Sequence, residues 1–316
     1  MKEVKKKEFN HLKIHTQYSI CEGALRISDL AKYCKDNKVK AVGLCDSNNL
    51  CGALEFSETI AKSKTQPIIG SQINILHKGN KGKLPIFAKN LEGYKNLIKL
   101  SSSSYLDIKD NEEPHCTIDD LVTNCEGLIL LSGSFDGLIG RLFYKNLTDE
   151  ITSLFKNLKK TFKDHFYIEI QRHDDEGEKL FEGFLINLAE KLSLPTIATH
   201  EVFYQDRDMH EAHDAYLCVG EKTYVNAKER RKYNDSHYLK TSDEMFNLFK
   251  DLPDALENNF NFPFRISYRP KNSLPVLPSI RTDKVKNVDE LLVKDSLEGL
   301  KEKLNTYVLP LYAKKD

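Results

Sequence analysis

Hydrophobic and polar positions alternate along the chain with two different periods. Short runs of apolar and β-branched residues, typical of strands, are separated by longer stretches with apolar residues three and four positions apart, typical of amphipathic helices. The predicted strands are His11–His15, Lys40–Cys45, Pro67–Ile75, Leu84–Ala88, Leu128–Leu131, Phe166–Ile170 and Thr196–Thr199. The helices predicted between them are Ser28–Lys35, Gly52–Lys64, Leu91–Ser101, Asp149–Thr161 and Glu176–Lys191.

This order of strands and helices predicts an α/β fold. About seven strands connected by helices indicate a closed or nearly closed parallel βα barrel. An open doubly wound sheet is the alternative, and the sequence lacks the GxGxxG turn that favours dinucleotide binding on such a sheet.

The alternation ends near Tyr204, where the pattern becomes mostly helical. Three prolines in Arg269–Ile280 then predict an extended crossover. Beyond it, Val288–Leu304 predicts an amphipathic helix that needs a partner surface. We therefore expect one domain at residues 1–268, a proline-rich crossover at 269–280, and the start of a further, truncated domain at 281–316. The helices predicted before the crossover are Asp206–Val219, Ser242–Leu248 and Asp254–Asn261.

Composition narrows the class of protein. A chain of 316 residues with 40% hydrophobic residues can bury a sizeable core. No apolar run is long enough to cross a bilayer and the N-terminus lacks a signal-peptide core, so we expect a cytoplasmic protein with no membrane partner. The 47 basic and 47 acidic residues cancel, which argues against nucleic-acid binding by net charge and leaves a local patch open. Seven cysteines without a CxxC pair disfavour a zinc ribbon or a disulfide framework.

Polar side chains cluster at the ends of the predicted strands. The chemistry of a βα barrel lies at the carboxyl ends of its strands. One His there is most often structural, but several His, Asp, Gln or Glu together are the ligand types of divalent metals. The strand-end residues are Lys13, His15, Asp46, Ser47, Gln72, Ser134, His173, His200 and Glu201.

Successive motifs along the chain resemble those of one family. They are FNHLKIHTQYSICEGAL, GLCDSNNLCGALEF, QPIIGSQINI, FAKNLEGYKNLIKLSS, FYIEIQRH, LPTIATHEVFY, EAHDAYLCVG and HYLKTSDEMFNLFKDLPDALENN. Their order and spacing, from about Phe9 to Leu304, are similar to the PHP (polymerase and histidinol phosphatase) domain that opens the alpha subunit of bacterial replicative DNA polymerase III. The resemblance implies a PHP-type distorted parallel βα barrel, followed by helical segments and the start of a polymerase palm region.

The resemblance also implies a metal site at the barrel mouth. At several of the ligand positions, this sequence has residues that differ from the family pattern. His15 and His173 keep the family's imidazoles, while Glu22 and Glu201 provide a longer carboxylate than the usual Asp. Asp46 corresponds to a residue that supports a ligand. The remaining ligand positions hold residues that differ from the family pattern: Lys13, Ser47, Gln72, Ser134 and Phe203.

These departures predict an inactive, degenerate site. An ammonium at Lys13 repels metal ions, and Phe203 offers no lone pair. We expect no tightly bound cofactor and a polar cluster in which Lys13 pairs with Glu22, Glu201 or Asp46. The family pattern leaves open one weak divalent metal site through His15 and His173.

The function implied by the resemblance is that of the N-terminal PHP portion of a DNA polymerase III alpha subunit. The family's polymerase uses magnesium and DNA in a palm whose motifs this chain lacks, so no catalytic residue is expected here. The domain would be a platform for the rest of the polymerase and for the proofreading exonuclease subunit. The alternatives are a stand-alone metal-dependent PHP phosphoesterase or 3′–5′ exonuclease, and an interaction module. The poor family match of TYVLPLYAKKD fits a fragment or a split gene product.

Two further segments have competing interpretations. The KERRKYNDSH run at Lys228–His237 is predicted to be a solvated basic turn, with DNA contact as the alternative. Glu211–Asp214 is predicted to have a capping or interface role, with an acid/base cluster as the alternative.

Overall fold

The structure of the chain is a computed structural model that describes residues 8–276 and 287–313. The chain divides into two compact units, Met1–Asn272 and Ser273–Asp316. The predicted domain boundaries at residues 268 and 280 stay predictions, since residues 277–280 of the expected crossover lie outside the described residues. Among the described residues, no helix combines the length and hydropathy that a membrane span requires.

One nine-stranded sheet forms the first unit, with the strand order β8-β7-β6-β4-β3-β2-β1-β9, and β5 paired to β3. The predicted α/β class and curled, mainly parallel sheet are confirmed. The two strands beyond the predicted seven are the two-residue strands β5 and β9. The strands are β1 (Lys13–Ile14), β2 (Ala41–Ser47), β3 (Gln66–His77), β4 (Asn80–Ala88), β5 (Cys116–Thr117), β6 (Leu128–Leu131), β7 (Phe166–Ile170), β8 (Thr196–Ala198) and β9 (Glu201–Val202).

Strand β4 differs from the expected parallel arrangement, because it runs antiparallel to both β3 and β6. Its connection to β3 consists of Lys78 and Gly79 alone, with His77 paired to Asn80. Both turn residues have positive φ, 46° and 78°. A two-residue turn of this kind joins only antiparallel strands, whereas a parallel pair needs a long crossover.

The two ends of the sheet lie close together. Strands β8 and β9 occupy opposite ends of the strand order, yet only Thr199 and His200 separate them along the chain. Three peptide units span at most about 11 Å. The sheet therefore curls into a nearly closed barrel rather than the open doubly wound sheet considered above.

The helices cover the outer face of this sheet with amphipathic surfaces. In α6, for example, Ile151, Leu154, Phe155 and Leu158 are buried on one side. The helices of the first unit are α1 (Ile27–Asp36), α2 (Ala53–Lys62), α3 (Leu91–Leu106), α4 (Ile118–Thr123), α5 (Leu138–Tyr144), α6 (Thr148–Phe162), α7 (Glu178–Leu192), α8 (His210–Glu221), α9 (Ser242–Leu248) and α10 (Pro253–Asn261). The second unit contains α11 (Val288–Lys303), a π-helical turn at Leu304–Val308, and α12 (Leu309–Ala313).

The inner face of the sheet is apolar at one end and polar at the other. Cys45, Phe87, Ile129 and Tyr167 form a buried cluster with Phe262, which follows α10. Side chains two positions apart on a strand share a face. Residues two positions beyond this cluster therefore also point inward, near the carboxyl ends of the strands.

Candidate functional site

The polar end of the barrel interior follows from strand alternation. Ser47 lies two positions after Cys45, Gln72 two after Gly70, and Glu169 two after Tyr167. Lys13 pairs in register with Glu201 on β9. The strands thus bring chemically reactive side chains from distant parts of the sequence to one end of the barrel.

Lys13 forms the centre of this site. Its side chain is fully buried, and its Nζ lies 3.3 Å from Glu169 Oε1 and 3.4 Å from Glu201 Oε2. Burial alone would lower the pKa of Lys13, but the two carboxylates outweigh it and raise that pKa. Of the three predicted partners, only Glu201 contacts Lys13 in the structure. Glu22 and Asp46 bind other groups, and Glu169 takes their place.

Glu201 is also held by His15 and Gln72. Its Oε1 lies 2.9 Å from His15 Nε2 and accepts a hydrogen bond from the Gln72 side-chain amide. Burial would raise the pKa of Glu201, but Lys13 and His15 hold it well below its usual value. The carboxylate is therefore ionised and already bound by protein donors.

A second ionic cluster surrounds Glu22. Lys83 Nζ lies 2.6 Å and Arg231 Nη1 3.2 Å from Glu22 Oε1, and the Ser47 hydroxyl donates to Oε2. Burial alone would raise the pKa of Glu22, but mainly the positive charge of Lys83 lowers that pKa to about 2. Glu22 and Ser47, both predicted at metal-ligand positions, thus bind to each other and to cations of the chain.

Asp46 anchors the loop that follows β1. Its Oδ1 accepts hydrogen bonds from the Thr16 backbone at 2.7 Å and from Ser19 Oγ at 2.6 Å, and its Oδ2 accepts from Thr16 Oγ1 at 2.8 Å. Ser19 Oγ also lies 3.3 Å from His15 Nδ1. Asp46 therefore orients His15 through Ser19.

His173 belongs to a buried stack of imidazoles. Its ring centroid lies 4.0 Å from that of His237 and 4.5 Å from that of His200. Burial and the two neighbouring rings lower the pKa of His173 well below its usual value. The Glu201 backbone N–H points at His173 Nε2 over 3.4 Å, while the Glu201 side chain contacts His15. The two predicted histidine ligands thus contact different parts of Glu201: His15 contacts its side chain and His173 its backbone N–H.

Phe203 fills the space beside this stack. Its ring lies 4.6 Å from His15 and 4.5 Å from Tyr233, centroid to centroid. The side chain is almost completely buried. An apolar ring at this ligand position packs the site instead of coordinating an ion.

Ser134 lies at the rim of the mouth, just beyond β6. Its backbone oxygen accepts a hydrogen bond from Gly137 N at 2.9 Å, which fixes the turn before α5. Together with Gln72, Ser134 lines a cavity of about 820 Å³. Charged residues around this cavity include Glu22, Glu201, Lys83 and Arg231.

The residues present do not fit a centre of two or three divalent metals. The Lys13 ammonium is held between Glu169 and Glu201, where it repels cations. The carboxylate of Glu22 is already neutralised by Lys83 and Arg231. Within the described ranges, no three His, Cys, Asp or Glu side chains converge in a way that could hold a metal ion.

Sequence reasoning missed two members of the site, Glu169 and Lys83. Glu169 is the only charged residue in the otherwise apolar FYIEI strand, and Lys83 interrupts the run before Leu84. A charge isolated among buried strand residues was the available signal.

The KERRKYNDSH run and the Glu211–Asp214 segment, for which a capping or interface role is predicted, contact each other. Arg230 binds the Asp214 carboxylate with both terminal nitrogens, at 2.6 and 2.5 Å. His213 Nε2 lies 2.7 Å from the Glu22 backbone oxygen. The geometry favours the interface interpretation, since these groups bind within the chain.

Fold and site together define an α/β barrel protein whose mouth is bridged by ion pairs. The chain belongs to the PHP domain family, whose model matches residues 11–173.

Several curated proteins and solved structures are similar to this chain. The chain is 35% identical to DNA polymerase III subunit alpha of Caulobacter vibrioides over 98% of its own length and 28% of that protein. It is also 35% identical to the same subunit of Rickettsia bellii, over 95% of this chain and 26% of that protein. The chain thus spans about a quarter of the length of these curated relatives. A two-domain protein of Bacteroides vulgatus, described as containing a predicted PHP-like metal-dependent phosphoesterase, has a TM-score of 0.38 and 13% identity, over 75% of this chain and 62% of that one.

Proposed function

We propose that this chain is a non-hydrolytic PHP module of the kind found in DNA polymerase III alpha subunits, acting in DNA replication. The single observation that carries the proposal is the position of the Lys13 ammonium between Glu169 and Glu201. An internal cation there supplies the positive charge that metal ions supply in a hydrolytic site, and it cannot activate water as a metal does.

The candidate ligands His15, Glu22, His173 and Glu201 would then be vestigial. Each is engaged by the protein. Glu201 contacts both Lys13 and His15, Glu22 contacts Lys83, and His173 stacks on neighbouring imidazoles. Their role in this proposal is to hold the barrel mouth rigid. No tightly bound cofactor is needed, and magnesium and DNA would be used by the polymerase rather than by this module.

The partners in this proposal are the remainder of the polymerase and the proofreading exonuclease subunit. Support comes from the relatives, which are alpha subunits about four times as long as the matched segment. A rigid barrel without competing hydrolysis suits a platform on which other parts assemble. Co-elution with the proofreading subunit of the same organism tests this part of the proposal.

Metal content and hydrolysis test the inactive site. The purified chain is expected to contain less than one metal ion per molecule by elemental analysis after a chelator wash. With manganese or zinc added, it should release no nitrophenol from bis-nitrophenyl phosphate and no nucleotide from a 3′-labelled oligonucleotide. Lys13→His should stay inactive, because Gln72, Ser47 and Phe203 still provide no metal charge.

Two outcomes would contradict the proposal. Two or more ions per chain that survive the chelator would show a working metal centre. Metal-dependent hydrolysis that disappears on mutation of His15 or His173 would favour the stand-alone phosphoesterase.

A further inference from the structure

A basic groove lies at the opposite end of the barrel from the site described above. It is bordered by Tyr167 at the start of β7 and by Pro195 just before β8, which places it at the amino ends of the strands. Its volume is about 1170 Å³, and among the described residues Asp164 is the only acidic one that lines it. Six basic residues line it: Lys156, Lys159, Lys160, Lys163, Lys191 and Arg265.

Four of these cations come from one side of α6 and its end. Lys156, Lys159 and Lys160 are spaced i, i+3 and i+4, so they share one face of α6, and Lys163 directly follows the end of the helix. The opposite face, which includes Phe155, is buried against the sheet. Lysines at this spacing repel one another and weaken an isolated helix.

These charges lack counterions among the residues that the structure describes. Among residues 8–276 and 287–313, none of the six groove cations takes part in an ion pair. The arginines of the KERRKYNDSH run behave differently, because Arg230 binds Asp214 and Arg231 binds Glu22 and Glu221. The chain as a whole has a net charge of +0, so the excess positive charge of the groove is a local feature.

Stabilisation of the helix end explains only part of this cluster. Cations in the last turn of a helix interact favourably with its dipole, and Lys159 and Lys160 lie in that turn. Lys191 likewise lies in the last turn of α7, and Lys159 and Arg265 donate to the backbone oxygens of Leu192 and Asp164, respectively. Lys156 lies a turn before the end of α6, and among the described residues neither Lys156, Lys160 nor Lys191 makes a side-chain hydrogen bond or an ion pair. Three separate elements therefore direct cations into the same groove, and these structural roles do not account for Lys156.

An exposed aromatic ring lies among these cations. Phe264 lines the groove and is 78% exposed. The Phe260 ring packs edge-on against it at 6.0 Å, which limits its orientations. Beside it, the Arg265 guanidinium lies 5.5 Å above the Tyr167 ring and donates to the Asp164 backbone oxygen at 2.6 Å. Cations along a groove with an exposed aromatic ring are the features that bind phosphates and stack bases of single strands.

We propose that this groove binds single-stranded nucleic acid, with phosphates on the lysines and a base stacked on Phe264. The proposal goes beyond the platform function and does not depend on it, since no residue of the barrel mouth takes part. A duplex keeps its bases stacked inside and offers Phe264 no partner, so single strands are expected to bind more tightly.

Fluorescence anisotropy of a labelled 20-nucleotide oligothymidylate with the full chain, between 50 and 200 mM NaCl, tests the proposal. Lys156→Gln/Lys160→Gln/Lys191→Gln should weaken binding at least tenfold. It should also reduce the slope of log affinity against log salt by about 2, because each lost phosphate contact on a single strand removes about 0.7. The matched control, Lys32→Gln/Lys35→Gln/Lys62→Gln on α1 and α2, removes the same charge and should change affinity less than threefold.

Phe264→Ala separates stacking from charge. It should weaken binding at least about fivefold at every salt concentration without changing the slope, and Phe264→Tyr should bind like the original chain.

Four results would overturn the proposal. They are no binding of the oligonucleotide at 50 mM NaCl, equal loss in the control triple variant, tighter binding of a 20-base-pair duplex than of the single strand, and binding of anionic phospholipid vesicles without binding of the oligonucleotide.

Discussion

Replacement of Lys13 by Met tests the structural role of the buried ion pairs. Methionine has nearly the same length and keeps the apolar stem, so the main change is the loss of the ammonium. The variant would leave Glu169 and Glu201 facing each other inside the barrel without their shared cation. We expect a large loss of stability, since unpaired buried charges are costly.

The expected magnitude follows from the geometry. At an effective dielectric constant of about 20, each attraction at 3.3–3.4 Å contributes about 5 kcal/mol. Desolvation of the three charged groups offsets much of this sum. Breaking a buried pair by removing one partner typically costs about 3–5 kcal/mol. For a domain of this size, such a loss lowers the melting temperature by on the order of 10 °C.

Chemical and thermal denaturation of the original chain, Lys13→Met, Glu169→Gln and the double variant would measure the coupling. Glu169→Gln in the Lys13→Met background removes one unpaired carboxylate and keeps an oxygen that accepts from Gln171 Nε2, at 2.9 Å in the structure. The double variant should therefore be more stable than Lys13→Met by at least about 1 kcal/mol.

The pH dependence provides an independent check. Without Lys13, the main charge that lowers the pKa of Glu201 is gone, so burial should raise that pKa in the folded state. Protonation of Glu201 then relieves the repulsion from Glu169, so the stability difference between Lys13→Met and the original chain should shrink as the pH falls from 7 towards about 5. An unchanged melting temperature for Lys13→Met, or a double variant no more stable than the single one, would refute the ion-pair account.

Two further predictions concern acid sensitivity and the C-terminal helix. The pKa of Glu22 is lowered to about 2 and that of His11 to about 4, and in both cases the folded state binds fewer protons than the unfolded state. The contributions of these two groups to stability should thus be complete above pH 6.5. The contribution of His11 should be lost as the pH falls from 6.5 to about 4, and that of Glu22 as the pH falls from about 4.5 to 2. Lys83→Met should flatten the second decline in denaturant titrations, while Lys95→Met, at an exposed pair, should not. In hydrogen exchange, Leu291–Leu300 of α11 should be the least protected long helix, because none of its residues is buried. Strong protection of these amides in a monomeric sample would place the helix in the barrel domain instead.

Most secondary structure could be predicted because its causes are local. The strands Leu128–Leu131 and Phe166–Ile170 and the helix Ser242–Leu248 have the predicted ends. A continuous apolar run, or a Thr241 cap before an amphipathic stretch, acts over a few residues. The direction of β4 was missed because the predicted strands stopped short of the Lys78-Gly79 turn that determines it.

The candidate residues at the barrel mouth were identified from the sequence because they lie at strand ends. Lys13, Gln72 and Glu201 indeed meet there. Their partners could not be derived in the same way. Glu169 reaches Lys13, and Lys83 reaches Glu22, only because the curled sheet brings together strands that are far apart along the chain.

The sequence by itself determined the α/β class and most elements, since periodicity can be read from neighbouring residues. The loss of metal-ligand chemistry at the positions implied by the resemblance stays a prediction. Only the tertiary structure decided which charges pair. Glu22 and Asp46 were predicted partners of Lys13 on chemistry alone. In the barrel, however, Lys13 pairs with Glu169 and Glu201. Glu22 pairs instead with Lys83 and Arg231. Ion pairing depends on distances of a few ångströms across the fold, and the local pattern of residues contains no such distance.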